Sequence, residues 1–194
     1  MAKVDSEAAK RERKKTMRWV FTIFLVTIFV SGTISFLSDE IMARSNIFVA
    51  FLILLAIVLV GIVFDIIGVA VTSADEKPFH SMAARKVPGA HEAIALLRNA
   101  ERVSSICNDV VGDICGVVSG SASATIAAEV LSSFSFSWPR IITLMMSALV
   151  AALTVGGKAI GKTFAINSST TIVHGVGRLV YLANHFPGIV RKKK

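Results

Sequence analysis

Three carboxylates lie inside apolar stretches of this sequence, where charged side chains are rare. Asp65 stands between Phe64 and Ile66 in one such stretch, and Asp109 and Asp113 lie four residues apart in the next. A charge inside a lipid bilayer costs a few kcal/mol unless it is paired or hydrated. Side chains of this kind therefore mark ion or substrate pathways.

The polar neighbours of these carboxylates are of the types that bind hard cations. Asn108 immediately precedes Asp109. Ser105 lies four residues before Asp109, which places Ser105 and Asp109 on one face of a helix. Carboxylate, amide and hydroxyl oxygens are the ligands that Mg²⁺ prefers in proteins. Lys158 and Lys162 are expected at a similar depth, so the alternative is an ion-pair network that only fixes the helices together. The candidate metal ligands are Asp65, Ser105, Asn108, Asp109 and Asp113.

Other chemistry is poorly represented. Cys107 and Cys115 are eight residues apart, and the four histidines are scattered along the chain. No Cys-x-x-Cys pair and no Cys/His spacing typical of a metal site occurs. Because no nucleophile stands beside a candidate base, we expect no enzymatic activity.

The composition is that of a membrane protein. Of the 194 residues, 54% are hydrophobic, and the mean hydropathy is +0.68. Four apolar stretches, at 19–37, 46–72, 103–130 and 140–157, approach or exceed the roughly 20 residues that a membrane-spanning helix needs. The sequence therefore predicts an all-α, polytopic membrane protein with four transmembrane helices.

The positions of Lys and Arg predict the orientation of these helices. Residues 1–18 hold seven, the first short loop one, the segment 75–102 five, the second short loop one, and the chain from Lys158 onward seven. Positive charge is retained in the cytoplasm, so both termini and the segment 75–102 should be cytoplasmic. We expect a multi-pass protein of the cell membrane. Its net charge of +8 is then explained by topology and anionic lipid rather than by nucleic acid.

The same patterns divide the chain into four parts. Residues 1–18 form a basic cytoplasmic leader, and 19–45 an additional N-terminal transmembrane helix with an external turn at 38–45. Residues 46–166 form a transmembrane domain of three helices, and 167–194 an amphipathic helix with a basic tail.

Two short elements are expected at the inner membrane surface. Pro78 and Pro88-Gly89 bracket a basic segment within 75–102, and the following apolar residues recur at helical spacing, which predicts a helical hairpin. The apolar residues of 172–186 fall on one helical face and predict an amphipathic belt helix. Pro187-Gly188 should end this helix.

Four segments in order resemble the transmembrane domain of the cyclin-M/CorC magnesium transporters, and residues 48–186 follow the order of that domain. Phe64-Asp65 through Thr72-Ser73 resembles the end of its first span, and Gly89-Ala90 through Glu101-Arg102 its hairpin. Ile106-Cys107-Asn108 resembles the Gly-Asn pair that opens its second span, and 157–165 its Gly-Glu-x-x-Pro-Lys-x-x-Ala signature.

The resemblance implies three spans that bind Mg²⁺ between them, with Asn108 as a ligand, and a homodimer. Two departures are specific to this chain. Lys158 stands where the signature has its cation-binding Glu, so its ammonium would occupy the place of a bound cation. Gly161 stands where the signature has Pro. Nothing here corresponds to the family's cytoplasmic CBS pair, so we expect no CBS-bound nucleotide.

Two functions follow as expectations. The leading one is divalent-cation transport, with Mg²⁺ as the ion, by a homodimer embedded in the lipid bilayer. The alternative is a non-transporting membrane scaffold or regulatory subunit that is held rigid by Lys–Asp pairs.

Overall fold

The structure, a computed structural model, describes residues 2–133 and 138–191, which form helices and turns without a strand. The all-α prediction is confirmed for this part of the chain. Two predicted segments lie partly outside the described residues. They are the second short loop, at 134–137, and the basic tail, at lysines 192–194. The helices are α1 (Ala2–Ala43), α2 (Ile47–Ser73), α3 (Lys77–Ala84), α4 (Ala90–Arg98), α5 (Ala100–Ser105), a π-helix (Ile106–Gly112), α6 (Asp113–Ser133), α7 (Pro139–Asn167) and α8 (Ser169–Arg191).

Four stretches of helix in the described residues are long and apolar enough to cross a membrane: Thr16–Met42, Ile47–Ser73, Ala100–Ser133 and Pro139–Asn167. The third is continuous through α5, the π-helix and α6. The four predicted spans are therefore present as helices, and the chain is compatible with an integral membrane protein.

The first predicted turn is shorter than expected. Helix α1 continues to Ala43, so the prediction of an external turn over 38–45 is wrong, and only residues 44–46 separate α1 from α2. Met42 is 2% exposed because it packs with apolar residues of α2, α6 and α7, which holds the end of α1 in place. Asn46 then caps α2, since its Oδ1 accepts a hydrogen bond of 2.9 Å from the backbone N–H of Val49.

Two further helices end later than predicted. Helix α7 continues beyond 157 to Asn167, because Ala165 still packs into a cluster formed by α2, α3, α4 and α8. Helix α8 continues through Pro187-Gly188 to Arg191, so the predicted end at that pair is wrong. A proline inside a helix removes one backbone donor and costs about 3 kcal/mol, but the helix does not have to end there.

Helix α2 is the centre of the bundle and contacts α1, α6, α7 and α8. On one side, α7 approaches through Gly161, where an added Cβ would lie 2.7 Å from Cγ1 of Ile66. On another side, Gly61 of α2 faces Cys115 of α6, and an added Cβ would lie 2.9 Å from the Cys115 Cβ. Small residues let membrane helices approach closely in this way.

Helix α8 crosses α4 at an equally close contact. Gly89, just before α4, has φ +87°, a conformation that glycine adopts without strain. An added Cβ at Gly177 of α8 would lie 2.5 Å from the Gly89 carbonyl oxygen and 2.9 Å from the backbone N of Ala93. Nε2 of His174 lies 3.3 Å from the Pro88 carbonyl oxygen at the same crossing. The crossing therefore fixes α8 against the short helices.

This contact predicts that Gly177→Ala destabilises the protein by about 1–3 kcal/mol, because the methyl group would meet backbone atoms that cannot rotate away. Gly175→Ala on the same helix is the matched control, since an added Cβ there meets nothing within 4 Å. Unfolding in detergent micelles measures both changes. Equal free energies of unfolding for the two variants would contradict the crossing.

Candidate cation site

An ion pair joins two of the candidate membrane-spanning helices. Nζ of Lys158 on α7 lies 3.5 Å from Oδ1 of Asp65 on α2, and the two side chains are 26% and 12% exposed. Within residues 2–133 and 138–191, no other salt bridge connects two of the four candidate spans. The predicted Lys–Asp pair is therefore present for these two residues.

The pair lies at one end of the apolar length of the bundle. Counting 1.5 Å per residue, Asp65 is about 27 Å along α2 from Ile47, and Lys158 is about 28 Å along α7 from Pro139. The hydrocarbon core of a bilayer is about 30 Å thick. The two charges thus lie at a similar distance along their helices, far from the turn at 44–46.

A glycine makes room for the lysine side chain. An added Cβ at Gly112, the last residue of the π-helix, would lie 3.3 Å from Nζ of Lys158. The ammonium therefore lies among three elements: α7, which carries it, α2, which carries Asp65, and the π-helix.

Asn108 supplies a buried oxygen on the same side of α2. Its Nδ2 donates a hydrogen bond of 3.2 Å to Oγ of Ser104, whereas its Oδ1 is buried and has no partner. An added Cβ at Gly68 would lie 2.8 Å from the Asn108 Cγ, so the amide rests against the backbone of α2. Gly68 is one helical turn from Asp65 on the same face.

The unpartnered oxygen is energetically significant. A buried acceptor without a hydrogen bond costs about 1–3 kcal/mol. It lies on a π-helix, and π-helical turns occur frequently at functional sites because they redirect side chains. Asp65 pairs with Lys158, and Asn108 packs against Gly68 one turn further along α2. We call these three residues the central site.

The other predicted site residues lie elsewhere. Asp109 and Asp113 are exposed, and Asp109 accepts a hydrogen bond of 2.8 Å from Oγ of Ser105. Lys162 is also exposed, one turn beyond Lys158. In the part of the chain that the structure describes, no three His, Cys, Asp or Glu side chains converge as a metal site. The structure brings together three of the seven predicted residues and leaves these four outside.

Two features of the central site were not predicted. One is the π-helix Ile106–Gly112, which carries Asn108. The other is the close approach at Gly68. The sequence did contain a signal for the second feature, because Gly61, Asp65 and Gly68 recur at the spacing of one helical face.

Comparison of the chain with protein-family models and with curated protein sequences gave no match.

The ion pair predicts an energetic coupling between Asp65 and Lys158. A double-mutant cycle of Asp65→Asn and Lys158→Met should give an interaction free energy of about 1–3 kcal/mol. That value lies between those of surface pairs and fully buried pairs, because both groups are partly exposed. Unfolding in detergent micelles provides the four free energies.

Lys162→Met is the control for this cycle, because Lys162 has the same charge and lies one turn away but is exposed. Its coupling to Asp65→Asn should stay below about 0.5 kcal/mol. Equal coupling for Lys158 and Lys162 would show that the pair is not specific.

Proposed function

We propose that this chain is a multi-pass protein of the cell membrane that carries a divalent cation, with Mg²⁺ as the ion, through the central site. One observation carries the proposal: a carboxylate, Asp65, lies on α2 one helical turn from Gly68, against which the unpartnered amide oxygen of Asn108 packs. The order of segments that resembles the cyclin-M/CorC transporters supports the same function, with both termini in the cytoplasm.

The oxygens suit the ion. Mg²⁺ is commonly held by one or two carboxylates and keeps several of its water molecules, so it does not require an all-protein cage. Asp65 contributes the negative charge, and Asn108 contributes a neutral oxygen that no hydrogen bond consumes. Ser104 accepts a hydrogen bond from the amide nitrogen, and the oxygen lies against Gly68 of α2.

Lys158 determines when the ion binds. An ammonium 3.5 Å from the carboxylate repels a divalent cation at the same place, so the two are alternative partners of Asp65. Lysine has a long flexible stem, and its charge can move to the nearby aqueous boundary while the stem stays among apolar side chains. In this scheme Lys158 leaves Asp65 when the cation arrives and returns when it departs.

A second function is favoured by the same ion pair. If Lys158 never leaves Asp65, the pair fixes α7 to α2, and the chain is a non-transporting scaffold or regulatory subunit. The exposure of Asp109 and Asp113, which leaves a single carboxylate at the site, favours this alternative.

Lys158→Glu separates the two functions. It replaces the competing ammonium by a second carboxylate, so Mg²⁺ should bind more tightly than to the wild type. At a Mg²⁺ concentration a hundredfold above Kd, binding stabilises the folded state by about 2.7 kcal/mol, which raises Tm by about 5–10 °C for a chain of this size. Thermal unfolding with and without Mg²⁺ measures this shift.

Lys162→Glu is the matched control, because it makes the same charge change one turn away at an exposed position. Its Mg²⁺ response should equal that of the wild type. If the wild type binds Mg²⁺ and Lys158→Glu abolishes this binding, the ion binds at another place in the protein. If Mg²⁺, Mn²⁺ and Ca²⁺ change the Tm of neither the wild type nor any variant, divalent-cation transport is rejected and the scaffold function stands.

The homodimer is part of the proposal. Gly112 and Gly157 pack within one chain, because an added Cβ would meet Lys158 at Gly112 and Ile62 at Gly157. Gly116, Gly120 and Gly156 have nothing within 4 Å of an added Cβ. These three positions remain accessible to a second copy or to lipid.

A further inference from the structure

The crossing between α8 and the turn that joins α3 to α4 carries only positive charge. Arg85 and Lys86 stand in this turn, and Arg178 stands on α8 beside it; all three side chains are exposed. The sequence has no Asp or Glu between residues 77 and 91 or after residue 129, so neither the turn nor α8 supplies an acid. We call Arg85, Lys86 and Arg178 the basic crossing.

Backbone contacts bring these cations to one place. An added Cβ at Gly89 would lie 2.5 Å from the backbone N of Arg178, so the turn rests directly on α8. His174, one helical turn before Arg178 and on the same face, lies 3.3 Å from the carbonyl oxygen of Pro88. Lys86 is two residues before Pro88. The turn and Arg178 therefore lie on the same side of the crossing.

The positive charge of the basic crossing is not balanced within the chain. In the part of the chain that the structure describes, none of its three cations forms a salt bridge, and neither does Glu92, the acid that follows in the first turn of α4. At the opposite end of α3, by contrast, Glu76 lies 3.1 Å from Nε of Arg98 and 3.3 Å from Nε2 of His80. Neighbouring cations without a counter-charge repel one another, so the basic crossing favours an anion.

The basic crossing is held near the ends of two candidate spans. Only residues 74–76 separate α2 from α3, and only residue 168 separates α7 from α8. Val69 of α2, Ala93 of α4, Ala165 of α7 and Val173 of α8 belong to one core cluster at this end of the bundle. With α2 and α7 crossing the bilayer, as proposed above, the basic crossing stays close to the membrane surface.

Exposed apolar side chains adjoin the cations. Leu179 and Leu182 of α8 are 66% and 46% exposed, and Leu182 lies one helical turn after Arg178. Leucines beside cations at a membrane surface match the two parts of a phospholipid, because the cations can meet its phosphate while the leucines meet its acyl chains. A free phosphate ion would use the cations alone.

We infer that the basic crossing binds the phosphate of an anionic phospholipid, with Leu179 and Leu182 against the acyl chains. The distribution of Lys and Arg along the chain assigns this lipid to the cytoplasmic leaflet, whose anionic lipids attract basic segments. The inference rests on the proposed membrane location but not on the transported ion. A lipid bound there would fix α8 and the turn between α3 and α4 at the membrane surface.

Titration with short-chain lipids tests the lipid site. The full-length chain, in maltoside micelles without divalent cations, is titrated with dioctanoyl-phosphatidylglycerol, dioctanoyl-phosphatidylcholine or inorganic phosphate, and calorimetry gives the Kd of each. Phosphatidylglycerol should bind, whereas phosphatidylcholine, whose headgroup has no net charge, should not bind measurably. Inorganic phosphate should bind at least about tenfold more weakly than phosphatidylglycerol, because it buries no apolar surface.

Lys86→Gly removes one cation and keeps the fold, because Lys86 has φ +57°, a conformation that glycine adopts with less strain. Arg178→Gln removes a second cation and leaves the contact at Gly177 in place. Each substitution should raise the Kd for phosphatidylglycerol about fivefold. Lys77→Gln is the control, because Lys77 is exposed and begins α3 at its other end. That end is about 12 Å away, beyond the roughly 8 Å over which charges act at physiological salt.

The inference is overturned if the wild type does not bind phosphatidylglycerol, if it binds phosphatidylcholine equally well, or if inorganic phosphate binds as tightly as the lipid. An unchanged Kd in Lys86→Gly or in Arg178→Gln would also overturn it. An equal loss of affinity in Lys77→Gln would show a diffuse attraction to the net charge of +8 instead of a site. None of these outcomes depends on Mg²⁺, so the lipid site and the proposed ion can fail separately.

Discussion

The close approach of neighbouring helices to α2 is the constraint on which the rest of the structure depends. Helix α7 reaches α2 through Gly161, and the π-helix reaches it where Gly68 leaves space for the Asn108 amide. Bulkier residues at these positions would separate the helices and with them Asp65 from Lys158. The Asp65–Lys158 pair therefore depends on glycines against which side chains of the neighbouring helix can pack.

The ion pair is a consequence of this packing, and its burial determines what it can do. A partly exposed carboxylate and ammonium attract each other more strongly than a surface pair, yet they can separate at a lower cost than a fully buried pair. This burial suits the exchange of partners that the proposed function requires, in which the unpartnered Asn108 oxygen would be a second ligand.

The sequence predicted the positions of the spanning helices but not the direction in which every polar side chain points. Hydropathy located the four spans, and the rarity of charges in them indicated the Asp65–Lys158 pair, which the structure contains. The exposure of Asp109 and Asp113 could not be predicted, because periodicity shows which residues share a helical face but not which face meets the neighbouring helices. Helix ends were missed where tertiary packing, as at Met42, prolongs a helix beyond its apolar stretch.

Magnesium flux in proteoliposomes tests the central claim most directly. Wild type, Asp65→Asn and Lys158→Ala are reconstituted at equal density, and entry of Mg²⁺ is followed with a trapped fluorescent indicator. The account predicts flux for the wild type, its loss in Asp65→Asn, and saturation at a lower Mg²⁺ concentration in Lys158→Ala, because the competing ammonium is gone. Wild-type flux no greater than that of empty liposomes, or unchanged flux in Asp65→Asn, would contradict it.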